Sequence, residues 1–124
     1  MIKSMRGWKV INKCRLSARA CNWFDDNMKD RCTVFYPINV EVKPKLKGSK
    51  LFFFKDKKDA LDFADDYEYI VPCIAKNVTK PLKYCYSVSC IIDFWKDKIN
   101  KKKLSYSATP PTGTYLAESI TCLE

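Results

Sequence analysis

Seven cysteines, no histidine and a few paired aspartates are the residues of this 124-residue chain that could carry chemistry. Their spacing narrows what that chemistry is. Without histidine, the usual general base, the commonest metal ligand and the partner that activates a Ser or Cys nucleophile are missing, which excludes triads of the hydrolase kind. The cysteines are Cys14, Cys21, Cys32, Cys73, Cys85, Cys90 and Cys122, and they contain no C-x-x-C. Their nearest spacings, Cys14 to Cys21 and Cys85 to Cys90, are not those of a structural zinc site. A lysine or a helix N-terminus can activate a cysteine, but no local pattern around any of the seven does so. Asp25 with Asp26, Asp62 with Asp65 and Asp66, and Asp93 with Asp97 could hold Mg²⁺ or share a proton. The second set falls on a predicted helix with an apolar opposite face, where solvated acids sit. Gly7, Gly48 and Gly113 are too few and too far apart for a phosphate-binding glycine loop. The expectation is a non-enzymatic protein with no catalytic residues, metal or cofactor.

Positive charge is what remains. Lys and Arg number 23 against 14 acids, a net charge of +9. Residues 1–50 hold 12 basic against 4 acidic side chains, residues 51–75 hold 3 against 6, and residues 76–124 hold 8 against 4, so an acidic stretch lies between two basic ones. Such a charge steers anions toward the molecule. If Arg15 to Ala20 is a strand with Leu16, Ala18 and Ala20 inward, Arg15 and Arg19 share the outer face with Ser17 and form a candidate anion surface. Tyr84 and Tyr86, beside Lys83, could stack on a base while cations meet its phosphate, with Tyr106 after Lys101 to Lys103 as a further group of this kind. Lys43, Lys45 and Lys47 form an exposed basic rim. Arg15, Arg19, Lys83, Tyr84 and Tyr86 are therefore the candidate ligand-binding residues. The expected partner is an anionic, nucleotide-like small molecule or a nucleic acid, with a host protein as the other class.

These groups must be held by a small frame. One hydrophobic core is expected for this length, giving a single domain over residues 1–124. Trp8 to Asn12 reads as a strand turning at Asn12-Lys13 into a hairpin partner. Residues 22–31 read as a loop. Thr33 to Tyr36 reads as a strand stopped by Pro37 and resumed over Asn39 to Val42. Leu51 to Phe54 is a buried strand, followed by a helix capped at Asp56 and running along Ala60, Leu61, Ala64 and Tyr67. Tyr69 to Ala75 is a strand with Pro72 at an edge or bulge, and residues 77–81 a turn. Leu82 to Ser89 is a strand, residues 91–103 a short basic helix, Thr109 to Gly113 a rigid turn, and Thr114 to Leu123 a closing strand with Leu116, Ile120 and Cys122 inward. The fold class is α+β, a mostly antiparallel sheet with one or two short helices packed on it. Phe52, Phe53 and Phe54 cannot all face one core, which points to a homo-oligomer. No apolar run approaches the roughly 18 to 20 residues that span a bilayer, and no apolar segment follows the charged N-terminal residues. The chain thus reads as cytoplasmic with reduced thiols and no membrane contact.

Two resemblances bear on this. Gly7-Trp8-Lys9-Val10, Ser17-Ala18, Lys50-Leu51-Phe52-Phe53-Phe54 with Ala60 and Phe63-Ala64, Val71-Pro72-Cys73 and Pro111-Thr112-Gly113-Thr114 together resemble a group of small bacteriophage-encoded proteins. That resemblance implies the cytoplasm of an infected bacterial host; its motifs are structural and imply no mechanism. Net charge, aromatic content and the missing catalytic groups instead carry the expected function, non-enzymatic binding of a phosphorylated nucleotide or nucleotide-like signal that sequesters it from host defence, the alternatives being an inhibitor that occludes a host protein or nucleic acid and a structural or assembly protein. Leu51 to Ala64 is similar to the segment of ADP-ribosyltransferase-like folds where a strand leads into an alanine-containing helix. Activity in that family rests on a His-Tyr-Glu set, which this chain cannot supply, or on an Arg-Ser-Glu set. Arg15 or Arg19 and Glu118 could stand at the ends of the latter, but Leu116 occupies the place of a frequent second glutamate, so the resemblance implies at most a ligand-binding relic.

Overall fold

The computed structural model describes residues 2–17, 33–45, 48–80, 84–85, 107–108 and 110–124, the two short pieces 84–85 and 107–108 by backbone only. Its elements are β1 (Ile2–Asn12), β2 (Glu41–Val42), β3 (Leu51–Phe54), α1 (Lys57–Phe63), β4 (Glu68–Val78), β5 (Tyr84–Cys85), β6 (Ser107–Ala108), β7 (Thr114–Ala117) and β8 (Ser119–Cys122). Six strands form an antiparallel sheet in the order β2-β8-β4-β1-β3-β7, and β5 pairs with β6 separately. An antiparallel sheet with one short helix is the coarse architecture expected. The second predicted helix, the loop at 22–31 and most of the 82–89 strand lie outside the described residues.

The sheet closes on itself. β7 and β8 are one strand interrupted at Glu118, and its pairing with β4 keeps a single register from Cys73↔Cys122 to Lys76↔Ser119 and on to a bridge between Thr79 and Leu116. Thr79 and Leu116 exchange both backbone hydrogen bonds, at 2.9 and 2.8 Å. On its other edge β7 pairs with β3, which meets β1 at Trp8↔Phe54, and β1 pairs with β4 along almost its whole length. The ring β1, β3, β7/β8, β4 therefore returns to β1, and β2 extends it along the free edge of β8.

Closure needs an irregularity, which sits at Asn77. Asn77 has φ +54°, a left-handed conformation that asparagine tolerates better than most residues, and its amide donates to Glu118 Oε2 at 2.7 Å. Of the turn expected over residues 77–81, residues 77–79 instead continue the sheet: β4 runs through to Val78 and the chain stays paired at Thr79, while Pro81 lies outside the described residues. Pro72 is tolerated inside β4 because Leu123 N donates to Pro72 O at 2.9 Å, which aims the missing N–H toward the last residues of the β8 edge instead of into the middle of a ladder.

Period-two alternation gives the ring an inside and an outside. Ile11, Leu51, Phe53, Val71, Cys73, Ala75, Ala117, Ile120 and Cys122 pack inward, joined by Val34 and Tyr36 from the segment before β2. Val10, Phe54 and Ala60 form a second core outside one end of the ring, against which Phe63 and Ala64 from the end of α1 and Trp8 and Ile70 from the sheet all pack. Phe53 and Phe54 are thereby buried on opposite faces of one protomer, with Phe52 half-buried, so the aromatic run requires no partner subunit. The helix is shorter than the apolar spacing suggests. It ends at Phe63, with Ala60 buried, while Leu61 and Tyr67 are exposed, at 56% and 77% of their surface. Asp56 stands at the N-cap but makes no side-chain cap bond.

Candidate functional site

Two faces of the ring concentrate polar groups. Inside, Lys9 lies on the same side of β1 as Ile11, and only 8% of its surface is exposed. Its Nζ donates to Phe52 O at 2.6 Å and sits 5.0 Å from the centre of the Tyr36 ring. Burial lowers the Lys9 pKa to about 8, with Cys122 and Cys73 acting weakly the other way. The same loss of water pushes the Cys73 thiol up to about 12 and raises Cys122, while the Lys9 charge pulls both down. Tyr36 is fully buried. Its hydroxyl makes no hydrogen bond of good geometry, although Ser17 is close enough to oppose the burial that raises its pKa.

Outside, beyond α1, the strands β1, β4, β8 and β2 present an open polar face. Arg6 stands opposite Ile74, Ile74 opposite Thr121 and Thr121 opposite Glu41, while Ser4 stands opposite Lys76 and Lys76 opposite Ser119. Directly opposed residues of antiparallel strands share a face, and alternate residues along one strand do too. Arg6 and Lys76 are therefore diagonal neighbours. Arg6, Lys76 and Lys43 are exposed. Lys76 Nζ reaches Glu41 Oε2 at 3.0 Å, which Ser119 Oγ also approaches at 3.1 Å. The Lys76 hydrogen bond, then that of Ser119, holds the Glu41 carboxyl below the ordinary carboxylate range, and Lys43 is near enough to add to the effect. Two cations, Lys76 and Lys43, thus act on one carboxylate, and Arg6 adds a third positive charge to the same face.

The concavity at the other end has the opposite sign. A cleft of about 450 Å³ is lined by Asp59, Asp62, Phe63, Asp65, Pro111 and Thr112. Among the described residues no group of three or more potential ligands is arranged to hold a metal ion, and no helix is long and apolar enough to cross a membrane.

Of the residues singled out from the sequence, Arg15 is placed in most detail. Asn12 to Leu16 is a tight hairpin loop in which Arg15 N donates to Asn12 O and Asn12 N to Leu16 O, both at 3.0 Å. Arg15 takes the left-handed position, φ +62°, that glycine usually fills in a three-residue hairpin. Its Nε donates to Tyr36 O at 2.7 Å and its Nη2 to Glu124 O at 2.5 Å. The guanidinium therefore ties three segments of chain together. Glu118, the other end of the Arg-Ser-Glu comparison, engages Asn77 and Lys50. Lys43 and Lys45 are exposed, as a basic rim requires. Tyr84 is described only as backbone paired with Ala108, and Arg19, Lys83, Tyr86 and Lys47 lie outside the described residues.

Sequence reasoning passed over Lys9, Arg6 and Lys76. The alternation of Trp8 to Asn12 already places Lys9 beside Ile11 on one face, a signal that was present. The meeting of Arg6 with Lys76 depends on the β1–β4 register across some 70 residues of chain, which no local pattern specifies. No family model, curated protein or solved structure matches the chain.

Proposed function

We propose that this protein is a non-enzymatic binder of phosphate-bearing anions and that a nucleic-acid strand lies on the open face of β1, β4, β8 and β2. The observation that carries the reading is the separation of charge by shape: Arg6, Lys76 and Lys43 share an exposed sheet face, while the described cleft is lined by three aspartates. A flat cationic face suits an extended polyanion, and an acidic cleft repels a compact one. Ser4 and Thr121 add hydroxyl groups of the kind that contact phosphate oxygens. In the setting that the bacteriophage resemblance implies, such a protein would act by occluding nucleic acid. Sequestration of a nucleotide-like signal is the alternative within the same chemistry.

Fluorescence anisotropy with a labelled single-stranded oligonucleotide tests this. Three cations engaging a single strand predict a slope of about −2 in log K against log salt, and Arg6→Gln with Lys43→Gln should flatten it. Calorimetry against mono-, di- and cyclic nucleotides supplies the other arm: heat with one of them and a shallow salt slope would move the reading to a nucleotide, and silence in both arms would end it.

A further inference from the structure

We propose that Cys73 and Cys122 are an oxidisable pair, closed by hydrogen peroxide into a disulfide across β4 and β8 inside the ring and reopened by small thiols. The inference is independent of the anion-binding face. The two residues are direct cross-strand partners, both thiols are free, and both side chains belong to the same buried cluster. The backbone defines the kind of site. Because Leu123 N donates to Pro72 O, positions 72 and 123 form a hydrogen-bonded pair, and the next pair inward, Cys73 with Cys122, occupies a non-hydrogen-bonded site. Opposed Cα atoms there lie about 4.5 Å apart with side chains close together, inside the window of roughly 4.4 to 6.8 Å that a disulfide spans. That spacing suits a cross-strand disulfide between the two strands. Cys14, by contrast, is exposed on the hairpin loop and has no cross-strand cysteine among the described residues.

The chemistry balances without a cofactor. One thiol loses its proton, and its sulfur attacks a peroxide oxygen, breaking the O–O bond to give a sulfenic acid and hydroxide, which takes the proton to become water. The second sulfur attacks the sulfenic sulfur; the S–O bond breaks, the S–S bond forms, and the departing oxygen leaves as a second water with the second thiol's proton. Two thiols are oxidised by two electrons and one peroxide is reduced to two waters. Lys9 faces both sulfurs and favours the transient thiolate. Burial keeps both groups as thiols at rest, so the reaction proceeds through local opening of the sheet and is slow and selective.

Tryptic cleavage isolates each cysteine: residues 59–76 contain Cys73 alone and residues 104–124 contain Cys122 alone. The folded full chain is treated with hydrogen peroxide at pH 8 until Cys14 is fully modified, remaining thiols are alkylated, and the protein is digested without reductant. The expected product is a cross-linked 59–76/104–124 pair, absent from Cys73→Ala and Cys122→Ala, released by dithiothreitol and accompanied by a higher urea midpoint. Recovery of the two peptides unlinked, or linked to other cysteines, once Cys14 has reacted would overturn the proposal, and this readout on the unsubstituted protein stands even where a variant fails to fold.

Discussion

Replacing Lys9 with methionine should make the stability difference between variant and parent depend on pH in a way that nothing but a desolvated amine produces. An unfolded lysine titrates near 10.5 and the folded Lys9 near 8. Between those values the unfolded chain binds the extra proton, so the parent gains stability as pH rises from about 8 to 10.5 and loses it as pH falls through 8. The gap of about 2.5 pH units corresponds to about 3 kcal/mol against the folded state at pH 7. Methionine fills similar volume and carries no proton, so Lys9→Met escapes this term at every pH. It also loses the bond to Phe52 O and the contact with the Tyr36 ring, a cost that varies little below pH 8. Urea unfolding of both proteins from pH 6.5 to 10 should show the advantage of Lys9→Met shrinking by about 1 kcal/mol between pH 7 and 9, and by about 2 to 3 kcal/mol by pH 10. The Cys73 thiol, pushed up to about 12, is common to both proteins and drops out of the difference. A difference that stays flat across pH 7 to 9 would refute the placement of Lys9 inside the ring.

Tyr36→Phe removes a fully buried hydroxyl that makes no good hydrogen bond, and should match or exceed parental stability at pH 7 by up to about 1 kcal/mol in urea unfolding. Because the folded phenol titrates above its unfolded value of 10, the parent loses stability as pH climbs past 10, a loss Tyr36→Phe should lack. Arg15→Gly should be more stable than Arg15→Ala by about 1 kcal/mol, since both lose the bonds to Tyr36 O and Glu124 O but only glycine relieves a φ of +62°. Gly7→Ala should destabilise by about 3 kcal/mol, read as a lowered urea midpoint, because a Cβ there would stand 2.5 Å from Phe54 O and 2.6 Å from the Phe53 ring.

Local chemistry was legible in the sequence, and pairing was not. The turn at Asn12-Lys13, the strand Leu51–Phe54, the start of the helix at Asp56 and the inward Ile120 and Cys122 each follow from neighbours a few residues apart, where propensity, capping and alternation act; Leu116, expected inward with them, is buried on the opposite face, where it pairs with Phe52. The spacing of Tyr67 from Ala60 and Ala64 is helical, yet α1 stops at Phe63, once Ala60 is buried and Phe63 and Ala64 pack on the same cluster, and Tyr67 is left exposed. Arg15 reads from a strand pattern as an outward side chain. In the fold it occupies a left-handed loop position, which reverses what its guanidinium can reach. Residues 77–81 carry the composition of a turn, but Asn77 spends its tolerance of positive φ on a distortion inside a continuing strand, because Thr79 finds Leu116 to pair with.

The placement of Lys9 inside and of Arg6 on the cationic face depends on one register, that of β1 on β4. Strand residues alternate faces, so a slip of β1 by one position would turn Lys9 outward with Arg6 following it inward, dissolving both the amine–thiol interior and the cationic face. Gly7 is what makes such a slip costly. It stands opposite Cys73 in the β1–β4 ladder, and the space a side chain would need is already occupied by the Phe54 carbonyl and the Phe53 ring. In the slipped register Arg6 or Trp8 would take that place, and neither could fit against backbone at 2.5 Å. The glycine therefore excludes the alternative pairing by shape, and its position fixes which cations meet solvent and which one meets sulfur.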